Sequence, residues 1–347
     1  MRKLKYCEAI GEATLQAMQR DERIFVMGEG VDDPKGIFGT TRTAYEAFGE
    51  KRVFDIPLSE NALTGWGTGA ALNGMKPLMV HARNDFLLLA LDQIVNHAAK
   101  WKYMHNEQVP WTIRSLIGRG WGQAAQHSQA LHAIFAYIPG LKMVMPATPY
   151  DAKGLLMAAL ADPSPVIIIE HRNLYQTAGI VPAEPYEVPL GKANILKVGN
   201  DVTIVAISQM VEEALKASDA LSKIGIHPEV IDVRTLRPLD SDSIIASVKK
   251  TGRLIVCDVG WKQFGVSAEI TSRVVEEAFP FLKNAPIRIG LPDCPTPCSY
   301  SLEKVYYPDD RDIIDAVKKI LPKNLESKFR SIAGAEAPKQ IEFEGPF

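Results

Sequence analysis

Near-continuous apolar runs at 53–56, 77–80, 111–115, 143–145 and 166–170 alternate with stretches whose apolar positions recur at helical spacing, 61–74, 86–101, 129–137 and 149–161. A strand that is apolar throughout has no face to offer to water. It belongs to a parallel sheet covered by helices on both sides. Residues 5–19 add a further helical pattern, and "RIFVMGEG" adds a strand ended by glycines.

Between 172 and 190 the pattern lapses into "RNLYQTAGIVPAEPYEVPL", which has three prolines and no helical face and reads as an interdomain linker. A second alternation comes next: "DVTIVAIS", a helix from Glu212 to Lys223, "HPEVIDV", a helix over 241–250, "RLIVCDV" and a helix over 265–278. The 347 residues suit two domains. The expected fold class is α/β, two domains that are each a mostly parallel sheet flanked by helices, over 1–186 and 187–325, with a polar tail over 326–347. The tail is expected to be disordered or to order against a partner.

Thirty-nine Lys and Arg against 41 Asp and Glu leave a formal charge of −2, which favours neither nucleic acid nor an anionic membrane as partner. No apolar run approaches the roughly 20 residues of a membrane span. The start, "MRKLKYCEAIGEATLQAM", lacks the apolar core of a signal peptide, so a soluble, cytoplasmic protein is expected. Of four cysteines, Cys7 and Cys257 lie in apolar segments and Cys294 and Cys298 flank "PTP"; reduced thiols are the default, and no second Cys or His pair supports zinc.

Phosphate-loop, zincin and serine-hydrolase motifs are absent. Gly65, Gly67 and Ala70 have the spacing of a dinucleotide fingerprint, but they fall inside a helical pattern rather than directly after a strand, so close helix packing explains them better. Gly118, Gly120 and Gly122 read as a flexible loop crossing an active site.

In "FDIPLSENALTGWGTGAALNG", Glu60 follows Ser59, a natural N-cap, and could simply be a first-turn acid. The apolar "FDIPL" before it favours a carboxylate whose proton affinity is raised by low dielectric. His127 lies just past the glycine-rich loop, a better catalytic placement than that of His132. His81 and Arg83 come at the end of an expected strand, where open parallel sheets hold ligands.

The segments "DIPLSENALTGWGTGAALNGMKP", "LDQIVNHAAKW", "AAQHSQALHAIFAYIPGLKMVMPATPYDAKGLL", "DPSPVIIIEH" and "VIDVRTLRPLD…GWKQFGVSAEI" together resemble the beta subunit of the thiamine-diphosphate-dependent 2-oxo acid dehydrogenases, of which pyruvate dehydrogenase is typical. The resemblance runs from about residue 4 to 321. It implies a pyrimidine-binding domain, then a transketolase C-terminal domain, in an α2β2 assembly with beta–beta contact. The cofactor would lie between subunits, with magnesium held mainly by the alpha partner. The G-D-G motif of alpha chains does not occur here.

The same resemblance implies that Glu60 bonds the cofactor's aminopyrimidine, that Phe86 stacks on it with Leu58 and Ala82 nearby, and that His127 handles protons beside the substrate. Trp111, Ala159, Leu160, Asp162 and Ser164 match positions that hold potassium in some members. "HARND" and "SLIGRGWGQ" depart from the family's usual text, and His81, Arg83, Asp85 and Arg119 would give a more polar, basic pocket suited to a hydroxylated or anionic acceptor. The expected activity is oxidative decarboxylation of a pyruvate-like 2-oxo acid with acyl transfer to lipoyl, possible only with an alpha subunit and with a lipoyl acyltransferase core as a further partner. The rivals are a split transketolase-like two-carbon transfer and a non-catalytic assembly subunit.

Overall fold

The computed structural model describes residues 2–33, 35–118 and 123–331. Among the described residues, those from 2 to 191 together with Thr235–Pro238 form one compact unit, and Lys192–Arg234 with 239–331 form another.

The first unit begins with β1 (Lys3–Lys5), α1 (Tyr6–Arg20), β2 (Ile24–Gly28), α2 (Arg42–Phe48), β3 (Val53–Phe54) and α3 (Glu60–Leu72). It continues through β4 (Lys76–His81), α4 (Asn84–Leu87), α5 (Ala99–His105), β5 (Thr112–Ile117), α6 (His132–Tyr137), β6 (Lys142–Val144), α7 (Pro149–Ala161), β7 (Val166–His171) and β8 (Ala178–Ile180). Helix α1 buries Tyr6, Ile10, Ala13, Ala17 and Met18, a stripe at helical spacing, in the core it shares with α7. Thr148 caps α7 by accepting from the Asp151 N–H at 3.1 Å, with Pro149 in the first turn. Helix α7 is buried almost all round, as its apolar sequence requires.

The second unit holds β9 (Asn194–Lys197), β10 (Val202–Ala206), α8 (Met210–Ser222), β11 (Pro228–Asp232), α9 (Ser241–Thr251), β13 (Leu254–Trp261), α10 (Val266–Ala278), β14 (Ile287–Leu291), α11 (Tyr300–Tyr306) and α12 (Asp310–Ile320). Its sheet order is β14-β13-β10-β11-β9, parallel except at β9. The intervening strand β12 (Thr235–Arg237) lies in the stretch expected for the second domain, yet pairs antiparallel with β6 in the first sheet.

That first sheet has the order β12-β6-β7-β5-β4-β2-β3 and is otherwise parallel. The C-terminal ends of β3, β2, β4, β5 and β7 therefore succeed one another along a single edge.

Within the stretch 172–190, read as a linker, Leu174, Tyr175, Val181 and Val188 are buried, and β8 pairs with β1. Its apolar residues lack a period, so their burial left no pattern to read. The helix expected over 86–101 is present, but its winding changes along its length, through α4, a tight turn at Leu88–Ala90, a wide helical turn at Asp92–Ala98 and α5. Wide turns of this kind gather at functional sites. The tail is also partly ordered, since Lys323–Ser331 is helical and Phe329 is buried; positions 332–347 lie outside the described residues.

Candidate active site

The edge begins with carboxylates. Glu60 opens α3 after the short loop that follows β3, half-buried, and Ser59 occupies the N-cap position without making a side-chain cap bond. Glu29 comes directly after the next strand, β2, and Asp55 directly after β3, accepting from the Gly30 N–H at 2.7 Å. Burial, then the charges of Glu60 and Asp55, hold the Glu29 carboxyl above the usual carboxylate range. Glu29 went unnoticed in the sequence; its only signal was a carboxylate between the glycines that end a strand. Leu58, in the loop before Glu60, is 78 % exposed.

Helix α3 brings its glycines against neighbours rather than against a ligand. A Cβ on Gly65 would come 2.9 Å from the Gln93 side chain, and one on Gly67 would come 3.3 Å from Trp111 Nε1. Both contacts identify the glycine series with close packing, as its helical position suggested.

The segment after β4 forms the middle of the edge. His81 is buried, and its Nε2 has no hydrogen-bond partner. Burial pushes its pKa down to about 4, so the imidazole is neutral near pH 7 and adds no positive charge. Ala82 is half-buried, and Phe86 lies at the turn whose N–H donates to the Arg83 carbonyl at 3.3 Å. The Phe86 ring stands perpendicular to the His127 imidazole, with centroids 5.3 Å apart and planes at 84°.

This contact is held by the residues on either side. Asn84 Oδ1 accepts from the Leu131 N–H at 3.0 Å. Asp85 Oδ1 accepts from Gln129 Nε2 at 2.8 Å and from the Gln129 N–H at 3.4 Å. Asp85, expected in the polar pocket, is thus 9 % exposed and engaged in holding the His127 loop. Arg83 is buried and donates to the Gly118 carbonyl. Arg119, Gly120 and Gly122 lie outside the described residues.

The basic end of the edge includes a residue that sequence reading passed over. Arg172 follows β7, is buried, and stacks over the Phe38 ring at 4.8 Å. It sat in a stretch taken for linker, so nothing in its sequence setting marked it.

Beneath the edge, Arg114 and Glu170 form a fully buried pair between β5 and β7, with Arg114 Nε 2.5 Å from Glu170 Oε1 and Nη2 2.9 Å from Oε2. The Tyr175 hydroxyl donates to the same carboxylate, and Arg114 Nη2 donates to Thr40 Oγ1 at 3.0 Å.

The five residues expected around potassium come together where α7 meets β7. The Trp111 carbonyl accepts from the Val166 N–H at 2.9 Å, and the Ala159 carbonyl from the Asp162 N–H at 3.2 Å. Asp162 Oδ1 accepts from the Ser164 N–H at 2.9 Å, and its other oxygen pairs with Lys142. Leu160 is buried in the last turn of α7. With Asp162 already paired, a cation here would depend on main-chain oxygens. Among the described residues there is no cluster of three or more His, Cys, Asp or Glu able to hold a metal. Nor is any described helix long and apolar enough to cross a membrane.

The transketolase pyrimidine-binding domain family matches residues 2–177, and the transketolase C-terminal domain family matches 191–313. The chain is 42% identical over 332 residues to the beta subunit of an acetoin:2,6-dichlorophenolindophenol oxidoreductase of Cupriavidus necator, covering 92% of this chain and 98% of that one. It is 43% identical over 316 residues to the pyruvate dehydrogenase E1 beta subunit of Rickettsia bellii, covering 90% and 97%. It is 41% identical over 323 residues to the 2-oxoisovalerate dehydrogenase beta subunit of Bacillus subtilis, covering 92% and 98%. A solved split-gene transketolase, described as an inactive beta4 tetramer, shares the fold with a TM-score of 0.76 at 23% identity, covering 92% of this chain and 98% of that one.

Proposed function

The chain belongs to the beta-subunit family of the thiamine-diphosphate-dependent 2-oxo acid dehydrogenases, and from that membership we propose that it supplies the aminopyrimidine half of an active site completed by an alpha subunit in an α2β2 assembly. The activity proposed is oxidative decarboxylation of a 2-oxo acid with acyl transfer to a lipoyl group. The observation that supports this reading is the strand order, which lines up Glu60 and the Phe86–His127 contact along one sheet edge.

The residues present fit the cofactor's ring. A half-buried carboxylate opens α3, and a half-buried aromatic follows β4, one to bond a ring nitrogen and the other to stack. When bound, thiamine diphosphate supplies a carbon nucleophile that attacks the substrate carbonyl. Glu60 shares a proton with the ring, and its neighbours Glu29 and Asp55 keep that region of the site acidic. Leu58 and Ala82 flank these two groups in sequence and would complete the ring's surroundings. His127, held against Phe86, gives or takes a proton at its imidazole beside the substrate. Magnesium would be held mainly by the alpha chain, and potassium, where present, by the carbonyls around Trp111, Ala159 and Leu160 with Asp162 and Ser164. A lipoyl acyltransferase core and a cytoplasmic location belong to the same proposal.

A second reading, split transketolase-like two-carbon transfer to a sugar or other carbonyl acceptor, is favoured by one observation: the buried arginines Arg83 and Arg172 beyond the ends of β4 and β7. Glu60→Gln in a complex reconstituted with the alpha partner tests the catalytic role. Turnover is expected to fall by orders of magnitude with folding and assembly intact, and full activity in the variant would refute it. Lipoyl-dependent acylation against sugar acceptors then decides between the two readings.

A further inference from the structure

Strand β4 turns its side chains alternately to the two faces of the first sheet, so Met79 and His81 point the same way. The buried Thr64 hydroxyl of α3 donates to the Met79 sulfur at 3.5 Å, which identifies that face as the one α3 covers. From this contact, two residues along β4 towards the edge, about 7 Å, lead to His81, and one turn back along α3, about 6 Å, leads to Glu60. His81 therefore lies on the α3 side of the sheet, at the end where Glu60 stands. Ala82 and Phe86 follow it in the chain.

The two ring nitrogens of His81 are not equivalent. Nε2 is enclosed and has no hydrogen-bond partner, and Ser115, beside His81 in register on β5, is buried with its own hydroxyl unbonded. Nδ1 is not enclosed in this way. The next pair in register on the same face, Met79 and Ile113, is apolar. Burial pushes the imidazole's pKa down to about 4, with no contribution from a neighbouring charge, so the ring is neutral near pH 7. A neutral imidazole has one N–H and one bare nitrogen. Folded proteins leave a buried N–H orphaned more rarely than a buried acceptor, so the enclosed Nε2 is the nitrogen to leave bare.

We infer that His81 is a specificity-determining residue that presents an uncharged Nδ1–H donor to a hydroxyl oxygen on the carbon chain of the substrate. The inference rests on the proposed function for the reaction at this edge, and it names the substrate class: a hydroxylated 2-oxo acid rather than a bare alkyl one. The discrimination is physical. An alkyl group in the hydroxyl's place leaves a desolvated N–H unpaired, whereas the hydroxylated substrate satisfies it.

Nitrogen NMR of the full-length chain labelled in its histidines tests the tautomer without cofactor, substrate or partner, so its outcome is separate from that of the Glu60 turnover test. The His81 signals are identified by their loss in His81→Asn. A pyrrole-type Nδ1 and a pyridine-type Nε2 are expected near pH 7; a proton on Nε2, or on both nitrogens, overturns the inference. Specificity is then read in the complex reconstituted with the alpha partner, as the ratio of kcat/KM for hydroxypyruvate to that for pyruvate. His81→Phe is expected to lower this ratio by about tenfold, the loss of one hydrogen bond to the substrate. His81→Asn, whose amide N–H stands near the place of Nδ1–H, should restore most of it, and His81→Gln, which reaches the Nε2 position, should not. A ratio unchanged in His81→Phe, or restored by Gln rather than by Asn, also overturns the inference. A complex that turns over no 2-oxo acid would count against the proposed function, and the spectrum would still decide whether His81 offers its donor from Nδ1.

Discussion

The rings of Phe86 and His127 meet at right angles, 5.3 Å between centroids, although 41 positions separate them in the chain. Three hydrogen bonds to Asn84 and Asp85 fasten the two segments together immediately beside this contact. A histidine reached through a glycine-rich loop is thereby fixed relative to a helix start.

Asp85→Ala should release the loop. It leaves the Gln129 side chain and N–H without their acceptor, a destabilisation of about 1–3 kcal/mol. Turnover of the reconstituted complex is expected to fall by about tenfold, through the misplacement of His127. Asp85→Asn, which keeps a carbonyl acceptor, should recover much of this. Wild-type kcat in Asp85→Ala would show that the bonds to Gln129 do not position the histidine.

His81 makes a pH prediction. Its folded pKa, about 4, lies below the ordinary value of 6.5. A histidine depressed in this way favours the folded state fully above its unfolded pKa, and that contribution is lost as pH falls from 6.5 towards 4. His81→Gln should therefore flatten the fall in melting temperature over that window. An unchanged acid profile would mean that another group sets it.

The Arg114–Glu170 pair makes a stability prediction. Both side chains are almost wholly buried, so Glu170→Ala strands a guanidinium and is expected to destabilise by about 3–5 kcal/mol. Tyr175→Phe, which removes only one donor to the same carboxylate, should destabilise by about 1 kcal/mol. Denaturant unfolding of the three chains would check the order. A smaller effect for Glu170→Ala than for Tyr175→Phe would contradict it.

Fully apolar strands with helical spacing between them made the parallel α/β architecture readable, because a strand buried on both faces must be apolar throughout. Glu60, Phe86 and His127 were reached through resemblance to a family, their own local patterns being compatible with a helix-start acid, a core ring and a surface histidine. The strand Thr235–Arg237 was not readable, since three residues carry no period. Neither was the change of winding in the helix after Phe86, where the widened turn at Asp92–Ala98 packs beside α3 with Gln93 against Gly65.

Hydrophobic spacing along the chain determined which segments would be strands and helices, and that the strands would lie parallel. Which charged groups would meet was decided only by the order of those strands. Glu29 and Glu60 became neighbours because β2 lies beside β3, and Arg83 reaches the Gly118 carbonyl past the end of β5 because β4 lies beside β5. Hydrophobic burial is non-directional and depends on local pattern, whereas Coulombic and hydrogen-bond relations depend on distances that the folded chain alone establishes.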